Sequence, residues 1–119
     1  MIKIKSPILL TGLFLTLPSL ALDPMPSETG SITKLQIHNA PGNGSERYMV
    51  NLDSIITVNE GGELCGIDQW TGYLETKGDQ AQFSAILAAK LAKKPVWIQG
   101  TSGDCLGTEQ IIRNVYIQD

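Results

Sequence analysis

The sequence predicts a mainly β fold with one helix, arranged as a small Greek-key barrel of order β-β-β-α-β-β. Three observations carry the prediction. Alternating extended segments precede residue 77, and one amphipathic helix follows over Asp79 to Lys94. After it come two more extended segments, Pro95 to Gly100 and Ile111 to Gln118, with Cys105 in a polar loop between them. Strands, a single helix and two closing strands suit a small barrel better than a sandwich or a helical bundle.

Taken in order, Ile32 to His38 alternates, with Leu35 and Ile37 opposite Lys34, Gln36 and His38, as a half-buried strand does. Asn39 to Ser45 holds Pro-Gly and Asn-Gly, residues that pre-set or accept turn geometry. Arg47 to Leu52 alternates again with Tyr48, Val50 and Leu52 on one face, so the two strands form a hairpin. Ser54 to Val58 has strand propensity, Asn59 to Gly62 reads as a turn, and Glu63 to Ile67 fits either a short strand or a loop. Gln69 to Thr76 is the third main strand, with Trp70, Gly72 and Leu74 sharing a face.

Asp79 is placed as the helix N-cap, with Gln82 three residues on in a capping-box arrangement. Phe83, Ile86, Leu87 and Leu91 form the predicted buried stripe. Lys90, Lys93 and Lys94 suit the negative end of the helix dipole, and Pro95 stops the helix.

The front of the chain reads as an export signal. Lys3 and Lys5 precede an apolar run from Ile8 to Leu17, and Pro18-Ser19-Leu20-Ala21 ends in small residues. Residues 1–21 are therefore expected to be a cleaved signal peptide, residues 22–30 an irregular N-terminal arm, and residues 31–119 a single domain. The expected location is secreted or periplasmic. No segment approaches the roughly 20 apolar residues of a membrane helix, so no membrane insertion of the mature chain is expected. Cleavage leaves 98 residues with 7 basic and 12 acidic side chains, a formal charge of −5. That balance argues against nucleic acid, whose binding depends on basic patches.

Cys65 and Cys105 are the only cysteines, and in an oxidising compartment they are expected to form one disulfide. A reactive thiol would want Cys-x-x-Cys spacing or a paired histidine, and the sequence has neither. His38 is the sole histidine, and no ligand set is spaced for a metal; no cofactor is expected. Gly-x-Ser-x-Gly, P-loop and dinucleotide fingerprints are missing from the sequence. A secreted ribonuclease using His38, a glutamate and Arg47 or Arg113 rests on generic acid–base residues alone, and no enzyme is expected. Asn43-Gly44-Ser45 is a sequon that reads first as a hairpin turn.

The closing strands carry the more informative constellation. Alternation sends Val96, Ile98, Ile111, Val115 and Ile117 to the core. It leaves Trp97, Gln99, Asn114 and Tyr116 sharing the other face, with Gln118. Aromatic rings flanked by amides suit sugar stacking or a protein interface. Partial burial beneath the N-terminal arm is the competing reading.

The segment Phe83 to Ile98 (FSAILAAKLAKKPVWI), followed by Cys105 and by Gly107 to Ile117 (GTEQIIRNVYI), resembles the B subunits of subtilase-cytotoxin-type bacterial AB toxins and related orphan secreted domains. The likeness covers the last third of the chain well and the hairpin loosely. It implies an OB-like fold with the helix between the third and fourth strands, glycan binding, and a homo-oligomer, pentameric in that family, that partners a toxin A-type chain. In that family a tyrosine in the strand after the helix contacts sialylated glycans, and the aligned position here falls near Gly100. The family's serine near the start of the first strand corresponds to Thr29 or Ser31. Two functions follow as expectations: a non-catalytic module recognising a glycan or partner chain, or a stand-alone accessory or inhibitor protein without lectin activity.

Overall fold

The computed structural model describes residues 25–39 and 46–119; the signal-peptide segment, the start of the arm and the 40–45 turn with its sequon lie outside them. The described residues are mainly β with one helix. The strands are β1 (Ser27–Gly30), β2 (Ile32–His38), β3 (Arg47–Leu52), β4 (Trp70–Tyr73), β5 (Val96–Gln99), β6 (Cys105–Leu106), β7 (Glu109–Ile111) and β8 (Asn114–Ile117), and helix α1 (Lys77–Leu91) lies between β4 and β5.

These strands make two sheets and not the single closed barrel the sequence predicts. The smaller sheet has the order β1-β5-β8 and the larger the order β2-β3-β4-β7-β6. All pairings are antiparallel except the parallel pair β4–β7. The division has a local cause at each of two bends. Between β1 and β2 the chain turns at Gly30, where an added Cβ would lie 2.3 Å from Asp53 Oδ1. Asp53 holds the corner, accepting from the Ser31 amide at 2.9 Å and donating its own amide to the Ser31 carbonyl at 3.0 Å. Between β7 and β8 consecutive amides change sheets: Ile112 donates to Thr71 in the larger sheet and Arg113 to Gln99 in the smaller. The expected strand Ile111 to Gln118 is thereby cut in two. Its parity slips, so Ile112 is buried while Ile111 is half-buried; Ile117, at the end of edge strand β8, is 44 % exposed.

Four further expectations are corrected. Ser27–Gly30, predicted as irregular arm, is a strand because its backbone completes the β5 ladder and bridges Thr57 on its other side. Cys105, predicted in a loop, lies in β6, which pairs with β7 around a turn at Gly107 (φ +63°). Ile37 is exposed at the outer end of edge strand β2. The helix begins earlier than expected: Thr76 is the N-cap, and Asp79 completes the capping box, its carboxylate accepting from the Thr76 amide. Gln82 is then free to accept from the Tyr48 hydroxyl at 2.7 Å.

The core lies between the sheets and α1. It gathers Tyr48, Val50, Leu52, Ile56, Trp70, Ile86, Ala89, Val96, Ile98 and Ile112. Tyr48 lies across Gly72, its partner in β4, where a Cβ would stand 2.4 Å from the ring; no other residue fits there without displacing it. From α1 the buried side chains are Ile86 and Ala89, with Phe83 packed partly against them. Leu87 and Leu91, predicted as core, are 37 % and 75 % exposed. The helix is apolar nearly all round, so its sequence left the buried side ambiguous. Ile86→Ala should therefore cost about 2–5 kcal/mol in urea unfolding, whereas Leu91→Ala should cost within about 1 kcal/mol, as a largely exposed site does.

One buried carboxyl ties the sheets to the core. Glu28 on β1 is 4 % exposed and accepts from Trp70 Nε1 at 2.9 Å and Ser54 Oγ at 2.8 Å. Burial pushes its pKa above the ordinary value of 4.5; the Ser54 and Trp70 hydrogen bonds pull it back, and the Asp68 charge pushes it further up. The folded chain thus holds this proton more tightly than the unfolded chain. The stability it lends is full below the unfolded value and is lost as pH rises through the folded value. Glu28→Gln keeps an acceptor for Trp70 and removes the ionisation. Between about pH 4 and pH 7 its urea midpoint should fall less than that of the native chain.

Candidate functional site

The site is the outer face of the smaller sheet. Register places Thr29, Trp97 and Tyr116 in one row across β1, β5 and β8, and Ser27, Gln99 and Asn114 in the next. Strand alternation explains why they face outward. Their neighbours Val96 and Ile98 are fully buried and Val115 packs against the core, which leaves the intervening side chains on the opposite face. Five predicted contact residues, Thr29, Trp97, Gln99, Asn114 and Tyr116, come together there. Ser31 does not join them. It sits at the corner between the sheets, where its backbone is bound to Asp53. Ser27 belongs to the face and was missed; the prolines around it disguised β1 as an arm.

Trp97 and Tyr116 stack on each other, with ring centroids 4.9 Å apart and planes inclined by 27°. Such a pair contributes about 0.5–1.5 kcal/mol beyond its area burial. Trp97 is half-buried in the central strand, while Tyr116 on edge strand β8 is 47 % exposed. In the neighbouring row Asn114 Nδ2 donates to Gln99 Oε1 at 3.5 Å. The six side chains of these two rows carry no ionisable group except the Tyr116 phenol. Charged groups stand at the margins. Lys94 pairs with Asp119 at 3.0 Å beyond one end, and Arg113 donates to Thr101 Oγ1 at 3.2 Å beyond the other.

The larger sheet holds the residues that an acid–base reading of the sequence would use. Arg47 forms an ion pair with Glu109 at 2.6 Å, and Gln69 Nε2 donates to the second oxygen of the same carboxylate. His38 pairs with Arg47 in register on edge strand β2. Glu109 is thus bound through both oxygens, as a strut between β3 and β7. The two cysteines form the expected disulfide, with Cα atoms 5.8 Å apart, and anchor the 53–68 loop to β6. Among the described residues no group of three or more His, Cys, Asp or Glu is gathered as a metal site requires, and no helix is long and apolar enough to cross a membrane. Compared with protein-family models, with characterised proteins and with solved structures, the chain matches none.

Proposed function

We propose that this chain is an exported, non-catalytic binding module of the toxin-B-subunit type that recognises a glycan through the outer face of its smaller sheet. The observation that carries the reading is the Trp97–Tyr116 stack, half-exposed on a sheet face and flanked by amides and hydroxyls. Sugar rings present apolar C–H faces to aromatic rings and hydroxyl edges to amides, and this face offers both.

What supports an OB-like barrel is the pairing order. With Ser27–His38 and Glu109–Ile117 each counted as one bent strand, the first strand pairs with the second and the fourth, and the third pairs with the fifth in parallel. The helix then falls between the third and fourth strands, as the resemblance implies. Export is supported by the N-terminal layout and the disulfide.

Immobilised glycans test the reading. The native protein should be retained on a subset of them, and Tyr116→Ala should lose that retention with its thermal midpoint lowered by only a few degrees. Native protein retained by no glycan would favour the accessory or inhibitor role instead.

A second reading has its own support. Leu87 and Leu91 are exposed on α1 beside Ala88 and Ala92, which are exposed as well. An apolar helix surface of this kind fits assembly with further copies or with an A-type chain. A light-scattering mass above that of one chain, reduced by Leu91→Glu, supports assembly; a monomeric mass for the native protein contradicts it.

A further inference from the structure

From the chemistry of the same face we infer that its ligand is an uncharged glycan, bound through Tyr116 and the Gln99–Asn114 amide pair. This inference rests on the glycan reading above and adds the substrate class. Three observations carry it. The first is charge: Ser27, Thr29, Trp97, Gln99, Asn114 and Tyr116 offer no cation to a sugar carboxylate, sulfate or phosphate. The nearest cations in sequence lie beyond the ends of the two rows: Lys94 is paired there with Asp119, and Arg113 donates to the Thr101 hydroxyl. An anionic sugar would find only neutral hydroxyl and amide donors among these six side chains, with no opposing charge to form an ion pair.

The second is the aromatic geometry. Stacking on Trp97 uses one face of the Tyr116 ring, and Tyr116, on edge strand β8, remains 47 % exposed. Strands spaced about 4.8 Å apart make the three-residue row span roughly 10 Å, the length of one or two pyranose rings. The third is the amide pair. Its internal hydrogen bond uses Asn114 Nδ2 and Gln99 Oε1. Among the described residues this leaves Asn114 Oδ1 as an acceptor and Gln99 Nε2 as a donor beside one another. One acceptor and one donor in that arrangement match neighbouring sugar hydroxyls, each of which both donates and accepts.

Titration calorimetry tests this with lactose, N-acetyllactosamine and chitotriose as neutral probes and sialyllactose as the charged one. The expected result is binding of at least one neutral probe, unchanged from about 50 to about 500 mM salt, a range that screens ion pairs. Tyr116→Ala should weaken it roughly tenfold and Tyr116→Phe by no more than about twofold, because the phenyl ring keeps the stack. Lys94→Gln and Arg113→Gln should leave it unchanged. Sialyllactose binding in the absence of neutral binding, fading with salt and lost in Arg113→Gln, overturns the uncharged-ligand inference and leaves the glycan reading standing. Binding of none of the probes, together with no retention on any immobilised glycan, overturns both.

Discussion

Trp70→Ala should cost the domain a large part of its stability, about 4–8 kcal/mol. Trp70 is fully buried at the centre of the core, and truncating a buried Trp costs about 3–5 kcal/mol. The loss is compounded because its indole nitrogen donates to Glu28, which is nearly buried. Leaving that carboxyl one partner short adds about 1–3 kcal/mol. For a domain of this size total stability is about 5–15 kcal/mol, so one substitution removes a large part of it. Trp70→Phe separates the two contributions: it keeps most of the ring volume and removes the N–H. Urea unfolding followed by far-ultraviolet circular dichroism should give a midpoint for Trp70→Phe between those of the native chain and Trp70→Ala.

Removing the Cys65–Cys105 bond should have an effect of similar size by a different route. The bond spans a sequence separation of 40, and closing such a loop in the unfolded chain is worth about 4 kcal/mol in the chain-entropy model. The 53–68 segment depends on it more than the sheets do. That segment has no strand pairing beyond an isolated bridge to Ser27, and scattered bonds such as Asp53 to Ser31, Glu63 to Ser102 and Ile67 to Thr108 hold the rest of it. The double replacement Cys65→Ser with Cys105→Ser should therefore lose hydrogen-exchange protection first at Ile56 and Thr57. Unfolding in which every amide loses protection together, with no earlier loss at this loop, would contradict that order.

The parts of the fold legible in the sequence are those fixed by local pattern. Ile32–His38 and Arg47–Leu52 are bounded correctly because the alternation over their thirteen residues agrees with the Pro-Gly/Asn-Gly turn in the sequence between them. The parts that were not legible depend on distant partners. Ser27–Gly30 becomes a strand only because Val96–Gln99 and Thr57 lie on either side of it. Glu28 reads as a surface residue until Trp70 and Ser54 are placed against it. The helix start was three residues late because Thr76-x-x-Asp79 and Asp79-x-x-Gln82 both spell a capping box, and Tyr48 takes Gln82 away from the second. Leu87 and Leu91 misled because α1 is apolar on several sides, and packing geometry, not composition, chose Ile86 and Ala89.

For the candidate site, strand parity alone located Trp97, Gln99, Asn114 and Tyr116, since Val96 and Ile98 had to face inward. Parity cannot say that the two rings stack, nor that β1 brings Ser27 and Thr29 alongside. Both facts come from register.

The chain has two tryptophans, and they lie on opposite sides of the smaller sheet's β5 layer: Trp97 on the outer face and Trp70 in the core. Their indole N–H signals in a nitrogen-15 correlation spectrum therefore test the binding face with an internal control. On titration with the neutral oligosaccharide that binds best in calorimetry, the Trp97 indole signal should shift progressively to saturation while the Trp70 signal, held by Glu28, stays in place. A saturating titration that moves Trp70, or leaves Trp97 unmoved, would place the ligand elsewhere and contradict the assignment.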